Sequence, residues 1–248
     1  DNVDEIKGGE YTASGAVTLG SDADKLTNLV NATITAGSLT AHVSNDMTGV
    51  LARIDGQADL NIGRILGASN LTVGDTLNIT GTDDADTQLA NNIIGTVGAI
   101  TATNIGDAVN NIVTTGAKLD LTVADNVVGG EYVAGGAIDV DAALISQASF
   151  DGDTVELTTT TGNIELVQVK ANDGATLTSA AAIDGATVIA NNNDVTLEAA
   201  HIASSTVTAE NGAASLTARD GGTIVNTVVG ATGDVTFTAG DLDNLTVS

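Results

Sequence analysis

The feature that most constrains this chain is a repeat of about twenty residues that runs through it from one end to the other. Ile183–Ala200, IDGATVIANNNDVTLEAA, is followed by Ile202–Ala218, IASSTVTAENGAASLTA, and preceded by Ile164–Ala180, IELVQVKANDGATLTSA. Each unit reads as an aliphatic residue, a short β-branched segment, an Asn/Gly/Asp turn and a second short strand. Three apolar columns follow. The first is Ile6, Leu26, Met47, Ile65, Leu89, Val109, Val127, Ile145, Ile164, Ile183, Ile202, Ile224, Leu242, spanning 236 residues in twelve steps, a mean of about 19.7. The second is Tyr11, Ile34, Ala52, Leu71, Ile94, Val113, Tyr132, Phe150, Val169, Val188, Val207, Val229, Val247, with the same mean. The third opens the VTL-type strand: Val17, Leu39, Ala58, Leu77, Ile100, Leu119, Ile138, Val155, Leu177, Val195, Leu216, Val235. From Ile94 to Val207 the second column steps by 18 or 19 residues without any chosen insertion.

Strands of four to six residues, turns rich in Gly, Asn and Asp, and no 3.6-residue periodicity specify an all-β chain, a parallel β-helix (β-solenoid) of about twelve coils of 19–20 residues. A right-handed winding is expected, because parallel strands of one sheet are joined almost always by right-handed connections. At about 4.8 Å per rung, twelve coils make a rod of about 58 Å. The absence of proline agrees, since every strand central to a ladder needs its N–H. So does an aromatic content of 2%, because a narrow tube has room mainly for Val, Ile, Leu and Ala. GGEYTASGAVTL at 8–19 matches GGEYVAGGAIDV at 129–140, a separation of 121 residues or about six coils. The expectation is one solenoid domain, 1–248, carrying a six-coil duplication, 1–121 and 122–248.

Charge narrows the partners. Thirty-two acids against seven bases give a net charge of −25, which repels phosphate backbones and anionic membrane surfaces and argues against nucleic acid as a partner. No apolar stretch approaches the roughly 20 residues of a membrane span, so membrane insertion is not expected. The N-terminal Asp-Asn-Val-Asp lacks the basic start and apolar run of a signal peptide, so a removed leader or another export route is expected.

No catalytic residues are assigned. Polysaccharide lyases and hydrolases built on such solenoids need acids clustered with Arg or Lys, usually beside stacking aromatics, whereas the three arginines here are in distant coils and there is no tryptophan. His42 and His201 lie eight coils apart and read as exposed surface imidazoles. Calcium is the one ion the carboxylates suit, being a ligand of oxygen donors. The pairs Asp22/Asp24 and Asp84/Asp86, with Asp83, fall where the third column lengthens, on two inserted loops. Outward threonines beside the third column, Thr18, Thr40, Thr101, Thr196, Thr217 and Thr236, suggest an ice-binding face, but Asn61, Asn78, Asp120, Asp139 and Glu156 interrupt the row.

Both ends of the repeat read as open. The chain enters its first column at Ile6 and leaves with Leu242, Leu245 and Val247 still in phase, without a polar cap. Ile6 and Tyr11 of one copy are therefore expected to dock against Leu242, Leu245 and Val247 of the next, continuing the hydrogen-bond ladder. In repeat style, shown by LTVGDTLNITG and DVTLEAA, the chain resembles secreted bacterial surface proteins: filamentous-haemagglutinin-like adhesins and cysteine-free surface-layer proteins. That resemblance implies an extracellular, structural or adhesive role, with copies of itself and cell-surface polysaccharide as partners. It transfers no functional residues. The function expected is a non-enzymatic subunit of an extracellular filament or surface layer. The alternatives are an adhesin stalk within a larger chain, a polysaccharide lyase or hydrolase, and an ice-binding protein.

Overall fold

The computed structural model describes residues 4–81 and 87–248. The chain winds as a parallel β-solenoid of about twelve turns, with almost no helix. It divides into two compact units, Asp1–Asp125 and Asn126–Ser248. In each unit three strands per coil build three ladders, here faces A, B and C after the three apolar columns in order. Among the described residues face B has six strands in the first unit and seven in the second, paired in parallel within each.

The strands alternate because a pleated backbone turns successive side chains to opposite sides. In Val195–Ala199 the first, third and fifth residues are buried and Thr196 and Glu198 face outward. The inward rows stack like on like. Phe150 follows Tyr132, their rings 5.1 Å apart and 13° from parallel, and then come Val169, Val188, Val207, Val229 and Val247. Burying each such aliphatic contributes roughly 1.5–3 kcal/mol.

Within each unit the second column has the register expected of it. The first column holds in the second unit and is corrected at three places in the first. Ile6 pairs with Leu29 rather than Leu26, Met47 with Leu66 rather than Ile65, and Leu89 with Ala108 rather than Val109. Two of these are apolar doublets, and a slip of one residue sends the neighbour outward. Leu66 is fully buried, while Ile65 faces partly to solvent. The third column is corrected at Leu177 and Leu216, where Ala175 and Ala214 hold the position and the leucines stack one step further along the same inward side, on Leu157 and Leu197. With this register the first and second columns are five residues apart in all thirteen coils, as from Ile6 to Tyr11, Leu66 to Leu71 and Leu242 to Val247.

The corner between faces A and B explains that constancy. Three residues before each member of the second column the backbone enters the left-handed region: Gly8, Asn31, Gly49, Ala68, Asn91, Asn110, Gly129, Gln147, Leu166, Gly185, Ser204, Asn226 and Asn244, with φ between 47° and 70°. Such a residue reverses the strand in the fewest steps, and Gly and Asn accept it most cheaply. The residue that follows points inward, and where it is polar it is satisfied within the corner. The Ser69 N–H donates to Asn92 Oδ1 at 3.1 Å and the Asn92 N–H to Asn111 Oδ1 at 3.0 Å. The amide nitrogens of Asn92 and Asn111 return bonds to the carbonyls of Leu66 and Leu89, at 2.8 and 2.9 Å. All three residues are buried, so these bonds offset a desolvation cost rather than decorate a surface.

Candidate functional site

The residues expected to form a stacking surface fall on the first and last rungs. Ile6 and Tyr11 lie together on the first, paired to Leu29 and Ile34, and both are half-buried. Leu242 and Val247 lie on the last, paired to Ile224 and Val229. Among the described residues the strands Asp241–Asp243 and Thr246–Val247 are paired with Thr223–Val225 and Val228–Ala231. Exposure changes abruptly there. Ile224 and Val229 are wholly buried, whereas Leu242 and Val247 are 47% and 53% exposed. Leu245 takes the inward corner position that Ser205 and Thr227 fill as buried residues, and is only half-buried. The last rung is thus shaped like the interior layers before it.

The loop carrying Asp22 and Asp24 closes on itself. The Ser21 N–H donates to the Asp24 carbonyl at 3.0 Å and the Asp24 N–H to Ser21 Oγ at 3.1 Å. Asp22 projects over face C, with Oδ1 3.0 Å from His42 Nδ1 but off the line of a hydrogen bond. His42 is therefore not the exposed imidazole its outward strand position suggests, since the loop folds across it and leaves its side chain 17% exposed. His201 does face solvent, near Thr223. Asp83, Asp84 and Asp86 lie outside the described residues. Among the described residues no three of His, Cys, Asp and Glu converge on one point.

Among the described residues five bases sit beside acids. Arg64 grips Asp46 with Nε and Nη2, the Nε bond being 2.8 Å, and this hydrogen bonding raises the guanidinium above its ordinary value. Lys7 lies 2.7 Å from Glu5, and its hydrogen bond, joined by one from Asn28, holds the Glu5 carboxyl below its ordinary value. Lys118–Asp120, Lys170–Asp151 and Arg219–Glu198 complete the set, at 3.0, 3.1 and 3.5 Å. These are surface pairs of low individual worth, and most of the acids remain to repel one another.

Comparison with protein-family models, curated proteins and solved structures finds no match. Sequence reasoning missed the left-handed corner, though its signal was present: Asn31, Asn91, Asn110, Asn226 and Asn244 all stand three residues before the second column.

Proposed function

We propose that this chain is a structural subunit of an extracellular filament or surface layer, in which a rung of a second copy covers the last rung. The reading rests on one observation, the apolar columns that stay in register through every rung to Leu242 and Val247, a ladder that a rung of the same kind can continue. Burying the remaining half of each side chain is worth about 1 kcal/mol. Each backbone bond added across the joint contributes about 0.5–1.5 kcal/mol net. The second copy would bring Ile6 and Tyr11 against this rung, apolar columns setting the rotation. An extracellular setting is part of the same proposal and is supported by the repeat style and the high negative charge.

Electron microscopy and sedimentation of the purified chain test it. Filaments or higher assemblies are expected, shortened or abolished by Val247→Pro, which removes a donor, and by Leu245→Asp, which puts a charge at the joint. Asn192→Pro in an exposed turn should leave assembly intact. A wild-type chain that stays monomeric at high concentration, or filaments of normal length from Val247→Pro, would sink the proposal. A natural chain in which further coils of the same molecule cover Val247 would favour the adhesin stalk instead.

A further inference from the structure

The outer side of face B in the first unit differs from a uniformly polar solenoid wall. Its two outward rows, read along the coils, are Glu10, Thr33, Leu51, Asn70, Ile93, Ile112 and Thr12, Thr35, Arg53, Thr72, Gly95, Thr114. Leu51, Ile93 and Ile112 are 51%, 51% and 46% exposed, in a chain whose apolar residues are otherwise mostly interior. Glu10, on the first rung, is the one acid of these rows, and the ten positions from Thr33 to Thr114 have none, although the chain carries 32 acids. At one end of this stretch the surface is hollow: a trough of about 350 Å³ opens between Thr33, Leu51 and Asn70 on one wall and Thr35, Arg53 and Thr72 on the other. At the other end it is raised, with Ile93 and Ile112 standing beside Gly95, whose Cβ position is open space.

We propose that this face is an isologous contact between two copies of the chain, laid face to face with the rung order reversed about a two-fold axis through Asn70 and Thr72. The surface is complementary to itself in that orientation and in no simple translation. Reversal sets Ile112 of the second copy over Thr33, in the hollow, and Ile93 of the second copy against Leu51. Asn70 meets Asn70 of the second copy, where two amides can exchange donor and acceptor. Arg53, the one charge of these five rungs, lies over the bare backbone at Gly95 of the second copy rather than over another Arg53. Sheets packed this way stand about 10 Å apart, a gap these side chains span from both sides.

Charge favours a second copy of this chain at this face. Two molecules of net charge −25 repel, so they touch at least cost where neither presents a carboxylate. Five rungs by two outward rows cover about 250 Å² per copy, from rung and residue spacings. That is well below the roughly 800 Å² per partner of a standard interface. The pairing is therefore weak between single molecules and is read at high protein concentration. It does not depend on end-to-end stacking.

The chain has no cysteine, so single-cysteine cross-linking reads the two-fold axis directly. Asn70→Cys and Thr72→Cys treated with a short bis-maleimide at high protein concentration should give covalent dimers at least severalfold faster than Gln168→Cys, an exposed position on face B of the second unit. Adding Ile112→Asp to Asn70→Cys should lower the rate to that of the control, with an unchanged circular dichroism spectrum. Raising the salt should quicken dimer formation, by screening the two like charges. Equal rates for Asn70→Cys and Gln168→Cys, or no response to Ile112→Asp, would overturn the inference. Leu245→Asp, which attacks the proposed end joint, should leave the cross-linking rate unchanged. Loss of cross-linking in that variant would assign it to filament contacts and overturn the lateral pairing.

Discussion

Gly185→Ala tests the corner on which the coil geometry depends. Gly185 has φ +66°, and a Cβ there would stand 2.7 Å from Leu166 Cδ2 of the preceding coil. Holding an alanine in the left-handed region costs roughly 1–2 kcal/mol. The narrower unfolded ensemble of alanine returns roughly 0.4–1 kcal/mol of this. The contact is with the end of a flexible side chain that is 62% exposed, so Leu166 can turn aside at a rotamer cost of about 0.5–1.5 kcal/mol. The sum is a destabilisation of about 1–2 kcal/mol. Followed by far-ultraviolet circular dichroism, the urea midpoint should fall by roughly 0.5–1 M. In a Leu166→Ala background the clash is gone and only the backbone cost remains, so the two substitutions should couple by about 0.5–1.5 kcal/mol. A neutral or stabilising Gly185→Ala in both backgrounds would refute the left-handed corner.

Asn111→Ala should cost roughly 1–3 kcal/mol in the same assay, because it strands the buried Asn92 N–H; a loss under 1 kcal/mol would mean that the corner amides do not hold the coils together. The Glu5 carboxyl is held below its ordinary value of 4.5, first by Lys7, so its contribution is fully present above that pH and is lost as the pH falls through the lower folded value. Melting temperatures of wild type and Glu5→Gln should therefore differ most above pH 5 and converge in stronger acid; a gap that widens on acidification would reverse the sign. At low salt, calcium should raise the melting temperature and a chelator lower it, less so in Asp22→Asn/Asp24→Asn. Identical melting with calcium and with chelator would remove the ion from those carboxylates.

The period, the strand class and the second column were legible because several inward residues of that column stand between polar ones, as in Gln168-Val169-Lys170, and because its steps stay at 18 or 19 residues from Ile94 to Val207 even where an apolar neighbour adjoins, as in Ile93-Ile94 and Ile112-Val113. The first column blurred where apolar neighbours adjoin. Ile65-Leu66 and Ala108-Val109 offer two hydrophobic choices one residue apart, and only the fixed five-residue step to Leu71 and Val113 selects between them. Leu177 and Leu216 misled for another reason, since Ala175 and Ala214 are equally inward and a column sought among large residues passes over them. Leu166, Gln147 and Ala68 gave no sign of a left-handed backbone, because their side chains do not favour it and the ladder on either side imposes it. The interplay of His42 with Asp22 could not be read either, as it depends on how a six-residue insertion, Gly20–Lys25, folds back over the strand.

The unequal corners have a consequence for how such a chain can change. Faces A and B are tied by the same five-residue step in every coil, whereas the path from face C to the next face A takes seven residues from Ile138 to Ile145 and twelve from Val17 to Leu29. Length is thus negotiable along one edge and fixed along the other. A mutation that inserts residues between faces A and B shifts every inward side chain after it by one position and is purged. The same insertion between C and A merely enlarges a surface loop. New surface chemistry can accumulate along the tolerant edge, one loop per rung at intervals near 4.8 Å, while the register of the solenoid beneath it is inherited unchanged.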